Sequence, residues 1–257
     1  MWQFNLSRKG GVGVMDDYRS RIYTQYASRF QSAPKTFDVA AARQWGRAYR
    51  HYFRKWLPER RDARILDVAC GGGKLLQFYL DCGYTNVHGV DVSPEQVALA
   101  RQVTPNVIEA NVLDYLAEHG GRFDFISGLD IIEHFRKDEV LRFLDLLFAA
   151  LVPGGRVVLQ TPNAESPWGT HHRYNDLTHE LGFNPNLLTR LLALVGFTGI
   201  EAREQGPVPW GYSAASTLRW CAWQTIRTGL KLWNLAETGN VGSGVFTRVF
   251  LISAIRP

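Results

Sequence analysis

Cysteine is scarce in this chain of 257 residues. The three present, Cys70, Cys82 and Cys221, stand at no metal-ligand spacing from one another. An odd, scattered set argues against a disulfide framework and for a reducing compartment. No N-terminal stretch has the apolar centre of a secretory signal, and the apolar run 146–152 is too short to cross a bilayer. The expected location is therefore cytoplasmic, with a peripheral contact on the inner face of the membrane left open. Internal repeats and low-complexity tracts are missing. So is a basic groove interleaved with aromatics, which removes the signature of a nucleic-acid binder. Charged residues make up only 21% against 46% hydrophobic, a balance that excludes a disordered chain.

Acid is short at both ends. Residues 1–60 hold 12 Lys or Arg against 4 Asp or Glu, and residues 207–257 hold 5 against 1, so the middle of the chain is acidic. Basic flanks suit an anionic partner, either a phosphate-bearing substrate or lipid headgroups; scattered solubilising arginines are the plain alternative.

From residue 63 short β-rich runs alternate with helical stretches. Strands are expected at 63–69, 86–90, 106–110, 123–128, 156–161, 198–203 and 244–255. Helices are expected at 74–82, after Ser93, at 137–151, around 185–195 and over 213–236. Ser93 with Pro94 and Gln96 reads as a capping box. Two further helices, 18–29 and 39–57, precede this core. The order predicts an α/β fold: a doubly wound, Rossmann-like, mainly parallel seven-stranded sheet with N-terminal helices and a long C-terminal helix plus strand. Residues 1–14 read as a tail. The single domain would run over 15–257, with a helical cap at 15–60, a core at 61–206 and the helix and last strand at 207–257.

The densest signal is Asp67-Val68-Ala69-Cys70-Gly71-Gly72-Gly73. A buried strand delivers a carboxylate, then a glycine turn, to a helix N-terminus whose free N–H groups suit an anionic group. Asp91 lies 20 residues after Gly71, a spacing that suits an acid on ribose hydroxyls. The pattern resembles the class I S-adenosylmethionine-dependent methyltransferases. In their acid-x-Gly-x-Gly-x-Gly run Asp67, Gly71 and Gly73 match, and Ala69 replaces the first glycine. The resemblance implies that Asp91, with Val92, holds the ribose, that Asn111 and Val112 hold the adenine, and that Leu129 and Asp130 flank the methionine end. Acidic lining at Asp67 and Asp130 also favours a sulfonium cation over a dinucleotide pyrophosphate.

For the methyl acceptor, histidine near strand ends is the natural base. His134 follows the fourth strand. His179, Asp176 and Arg173 lie in a polar loop after the fifth and complete the catalytic candidates. Asp130, Glu133 and His134 stand at i, i+3 and i+4, and on a helical turn they would share one face. That spacing resembles the Glu-x-x-Glu-His metal motif of some ubiquinone-pathway and small-RNA methyltransferases, with Asp130 in place of the first Glu; the turn is also common in relatives without metal, so the expectation is no resident metal, with these three as candidates for a divalent ion. The runs 173–180 and 182–185 resemble enzymes of bacterial polysaccharide and glycolipid pathways, implying O-methylation of a sugar hydroxyl on a glycan or lipid-linked acceptor. A small-molecule or quinone-type O-methyltransferase and a non-catalytic cofactor-binding subunit are the other readings. On the C-terminal helix, Trp220, Trp223, Arg227 and Lys231 fall on one side, opposite Leu218, Ile226, Leu232 and Trp233. The Trp-Arg-Lys side resembles an interfacial membrane anchor; core packing with a homodimer contact is the alternative.

Overall fold

The structure, a computed structural model, describes residues 18–23, 25 and 36–257. The expected tail 1–14 lies outside the described residues, and so does the end of the first expected helix. Seven strands form one sheet in the order β3-β2-β1-β4-β5-β7-β6. They are β1 (Arg64–Val68), β2 (Asn86–Asp91), β3 (Val107–Glu109), β4 (Phe123–Leu129), β5 (Leu151–Pro162), β6 (Thr198–Glu204) and β7 (Val249–Ile255). β1 to β5 pair in parallel, and β7 runs antiparallel between β5 and β6.

Alternate residues of the central strands enter opposite cores, as in a sheet covered on both faces. Leu66, Val68 and Ile126 join one apolar cluster; Ile65 and Phe125 join the other. The second cluster is rich in aromatics. Tyr49 and Phe53 meet edge to face with centroids 5.4 Å apart, and Phe53 reaches Phe125 at 6.2 Å. Burying each of these rings contributes roughly 1.5–3 kcal/mol. Through this cluster the helix α2 (Val39–Tyr52) is packed onto α3 (Lys74–Asp81), with α1 (Tyr18–Tyr23) preceding it. α4 (Pro94–Ala100), α5 (Val112–Ala117), α6 (Lys137–Ala150), α7 (Gly169–Tyr174), α8 (Pro185–Val195) and α9 (Ala214–Thr238) complete the described helices.

Several boundaries differ from the expected ones for local reasons. α2 stops at Tyr52, because Lys55 turns left-handed (φ 63°) and Trp56 is buried. β5 begins at Leu151 rather than at 156, so Pro153-Gly154-Gly155 lies within the strand, where the register jumps between Phe123 and Phe125. α5 was invisible to periodicity at six residues, yet Asn111 caps it by accepting from the Leu113 N–H at 2.8 Å. Ser93 occupies the cap of α4, but its hydroxyl makes no cap bond, so the capping box does not form. Its N–H is held by Asp91 instead, at 2.8 Å.

Candidate functional site

The carboxyl ends of β1, β2, β4 and β5 open onto one cleft. β1 ends in the glycine turn. Ala69 takes φ 53° and Gly71 φ 51°, and Gly73, at φ 89°, starts α3. A Cβ on Gly73 would stand 3.1 Å from the Ala100 Cα, so a side chain there forces α3 and α4 apart. A Cβ on Gly71 would meet nothing, because that side of the turn faces open space. The turn is held from β2: Asp91 accepts from the Gly71 N–H at 2.8 Å while binding Ser93. Burial raises the Asp91 carboxyl, and those two N–H donors work against the rise. A carboxylate has lone pairs for further donors. Beside it stand Val92, 45% exposed, and the exposed Asn111 with buried Val112.

Asp67 sits deeper, 3% exposed, accepting from the Ser127 hydroxyl at 2.6 Å. Burial, reinforced by the charge on Asp91 and eased by Ser127, pushes its carboxyl up to about 7. Leu129 ends β4, and Asp130 follows in left-handed backbone (φ 52°). Left-handed backbone at a non-glycine residue costs about 1–2 kcal/mol, and here it falls at two strand tips on the cleft. Asp130 reaches water through the cleft, though protein crowds it on its other sides and raises its carboxyl. Gln160 donates to Asp130 Oδ2 at 2.9 Å. Gln160 Oε1 in turn accepts from Tyr49 at 2.8 Å and from Gln205 at 2.7 Å. The sequence reading missed these three; a lone glutamine in the apolar run of β5 was the available signal.

The acceptor side is built around Glu133, 1% exposed in a short 3-10 turn, Ile132–His134. Glu133 Oε2 accepts from the Thr161 hydroxyl at 2.9 Å, whereas Oε1 has no partner among the described residues. Burial, then the charge on Asp130, holds this carboxyl well above its usual range. The Glu133 carbonyl accepts from the N–H groups of Glu180 and Leu181, which ties the 170–181 segment to the end of β4. That tie brings His179 to His134, with ring centroids 4.8 Å apart. His134 Nδ1 lies 3.2 Å from the Thr178 carbonyl, and His179 Nδ1 lies 2.9 Å from the His172 carbonyl. A carbonyl only accepts, so each Nδ1 carries a proton, and in the neutral ring of His134 Nε2 keeps a lone pair. Burial and the neighbouring His179 push His134 down to about 4, so its ring stays neutral.

Donor atoms of Glu133, His134 and His179 lie within 4.8 Å of one another. This corrects the candidate metal set of Asp130, Glu133 and His134. Asp130 leaves the chain in left-handed backbone before the turn starts at Ile132, so no helical face unites the three, and its carboxylate goes to Gln160. His179 takes its place from 49 residues downstream. Asp176 and Arg173 serve the loop itself. Asp176 Oδ1 accepts from Thr178 Oγ1 at 2.6 Å, and Arg173 donates to the Glu180 carbonyl at 2.7 Å. α1 lies over this segment. Arg19 pairs with Glu139 at 2.8 Å, Tyr18 donates to Glu180, and the Tyr23 ring stands 6.4 Å from His134.

Asp91→Ala removes both the anchor of the glycine turn and the acidic end of β2. Each lost charge-assisted hydrogen bond is worth about 1.5–3 kcal/mol. Affinity for the nucleoside cofactor should fall about a hundredfold, as read by calorimetric titration. An unchanged affinity would remove Asp91 from the site.

The chain is similar to known proteins over part of its length. Ubiquinone biosynthesis O-methyltransferase of Xanthomonas campestris pv. campestris is 31% identical over 137 residues, covering 44% of this chain and 56% of the relative. The enzyme of that name from Cronobacter sakazakii is 34% identical over 107 residues, covering 39% and 42%. The chain thus spans about half the length of the curated relatives it matches. Among solved structures, a SAM dependent methyltransferase from Archaeoglobus fulgidus superposes with a TM-score of 0.61 at 18% identity, over 91% of this chain and 99% of that one. Haemonchus contortus phosphoethanolamine N-methyltransferase 2, solved with S-adenosyl-L-methionine, gives 0.58 at 16% identity, over 91% and 60%. At such identity the structures show the fold. A family model described as "Methyltransferase domain" matches residues 39–202, well over half of the sequence, and the chain belongs to that family.

Proposed function

We propose that this methyltransferase moves the methyl group of S-adenosylmethionine to a hydroxyl oxygen, with the pair His134 and His179 serving the acceptor. The observation that carries this reading is the imidazole pair of His134 and His179 set beside the buried Glu133 carboxyl, at the strand tip next to Asp130. Asp91 would hold the ribose of the cofactor beside the glycine turn, and the acids at the tips of β1 and β4 would favour its cationic end. The hydroxyl oxygen attacks the methyl carbon as the carbon–sulfur bond breaks, leaving a neutral thioether. Its proton passes to an imidazole Nε2. Positioning of the oxygen behind the methyl group supplies much of the rate. Glu133, His134 and His179 also suit a divalent cation, which when bound would acidify the acceptor hydroxyl.

Two acceptor classes are supported by different observations. The polar 173–180 run resembles glycan- and glycolipid-pathway enzymes and supports a sugar hydroxyl. The names of the relatives support a ring hydroxyl of a quinone-type small molecule. The paired imidazoles weigh against a subunit that only binds cofactor.

Calorimetry with S-adenosylmethionine and with NAD, followed by mass spectrometry of extracts incubated with labelled cofactor, tests the proposal. We expect binding of the first ligand alone and a product heavier by one methyl on oxygen. Binding of NAD instead, or a product methylated on nitrogen or carbon, overturns it.

A further inference from the structure

Asp130 is pinned twice by one residue. Its N–H donates to the Gln160 carbonyl at 2.9 Å, and its Oδ2 accepts from the Gln160 side-chain amide, also at 2.9 Å. Its other oxygen, Oδ1, has no hydrogen-bond partner among the described residues, and the residue is exposed to the cleft. An amide has two unlike ends. Turned over, Gln160 would aim an oxygen lone pair at the carboxylate instead of an N–H. Two neighbours prevent this. The Tyr49 hydroxyl donates to Gln160 Oε1 at 2.8 Å, and the Gln205 amide donates to the same oxygen at 2.7 Å. Gln205 also donates to the Tyr49 oxygen at 2.9 Å, which closes a triangle. With two donors on Oε1, the amide nitrogen is the end left for Asp130.

The triangle is held rigidly. Tyr49 is 3% exposed and Gln160 4%. The Tyr49 ring lies against Trp45, with centroids 4.0 Å apart, and meets Tyr52 and Phe53 edge to face. Gln205 follows β6, and α2 grips that segment at further points. Tyr52 donates to the Gly206 carbonyl at 2.6 Å, and Arg47 reaches the carbonyls of Gly211 and Tyr212 at 3.3 Å. A helix that lies before the whole sheet in sequence thereby sets the amide at the β4 tip.

We propose that Tyr49 and Gln205 are positioning residues for the methionine end of the cofactor, acting through Gln160 on Asp130. The inference rests on the reading of the cleft as an S-adenosylmethionine site. A neutral donor fixed on Oδ2 sets the plane of the carboxylate and leaves Oδ1 to accept from an ammonium group. A cationic partner in that place would have cancelled the charge that draws the ligand in. Burial favours the protonated form of Asp130, and the donation from Gln160 works against it. Away from water such a network orients its members more firmly than it would at the surface.

Calorimetric titration of the full chain with three ligands tests this. S-adenosylmethionine and S-adenosylhomocysteine carry the amino-acid tail; methylthioadenosine lacks it. Tyr49→Phe keeps the aromatic packing and removes only the hydroxyl. It should weaken both tailed ligands about three- to tenfold and leave methylthioadenosine within about twofold. Gln205→Leu, which leaves α2 untouched, should do the same. In an Asp130→Asn background the further loss from Tyr49→Phe should vanish, because the acid through which it acts is gone. A hydroxyl that only stabilised the fold would cost all three ligands equally, and its effect would add to that of Asp130→Asn. Either result, beside a parent that binds the tailed ligands, overturns the inference alone. A parent that binds none of the three overturns the cofactor reading and the inference together.

Discussion

His134→Ala should lower turnover by about two to four orders of magnitude while leaving the affinity for S-adenosylmethionine within about twofold. The substitution removes the contacts of Nδ1 with the Thr178 carbonyl and hydroxyl, but other bonds hold the loop. Thr178 keeps its hydroxyl bond to Asp176, and Glu180 and Leu181 still donate to the Glu133 carbonyl. What disappears is one lone-pair nitrogen of a pair whose centroids are 4.8 Å apart. On the proposed reading cofactor binding relies on the glycine turn and Asp91, on other strand ends, so the two readouts separate. Equilibrium titration and steady-state rates on the same preparation make the comparison, and full turnover in the variant would sink the assignment. A chelator then divides the two roles of the nitrogen. Loss of activity that an added divalent ion restores identifies a ligand; indifference identifies a base.

The sheet was legible because its strands are short apolar runs separated by turn chemistry, and Ile65-Leu66-Asp67-Val68 is buried throughout, as a strand covered on both faces must be. Asp67, the glycine turn and Asp91 were legible for the same reason: each is fixed by its position relative to a strand end. The acceptor side was not. Glu133 and His134 were visible, but their third companion depended on backbone bonds between residues 133 and 180–181, which no local pattern records. The left-handed turn at Asp130 hid in the same way, since nothing in Leu129-Asp130-Ile131 announces a positive φ. Most instructive is α9. Its wheel separates Trp220, Trp223, Arg227 and Lys231 from Leu218, Ile226, Leu232 and Trp233, and the split itself is right. Which half faces the protein was decided by partners far along the chain, Glu204 and the Gly244 carbonyl, which take up the indole and guanidinium donors. An amphipathic pattern fixes the axis of a helix's two faces, and tertiary hydrogen bonds fix their sign.

The unliganded protein should lose stability as pH rises from about 4 to about 7, through Asp67. Its carboxyl is pushed from the ordinary value near 3.8 up to about 7 in the folded chain, chiefly by burial. A raised folded value means that the native state holds its proton more tightly than the unfolded state does. The associated stabilisation is complete below the unfolded value and is lost as pH climbs through the folded one. Three units correspond to on the order of 4 kcal/mol at neutral pH. Asp67→Asn keeps an acceptor for the Ser127 hydroxyl and cannot ionise. The difference in unfolding free energy between variant and parent, measured in urea across this range, should therefore grow in the variant's favour and level off above pH 8. A difference that stays flat would show that Asp67 does not titrate there. The same physics links the acids to the ligand. Asp67, Asp91, Asp130 and Glu133 all have carboxyls raised by burial, so the empty cleft favours retaining protons. A sulfonium and an ammonium entering beside them would favour the ionised forms and expel protons. The apparent heat of cofactor binding near neutral pH should then change with the ionisation enthalpy of the buffer, and a buffer-independent heat would place the cation away from these acids.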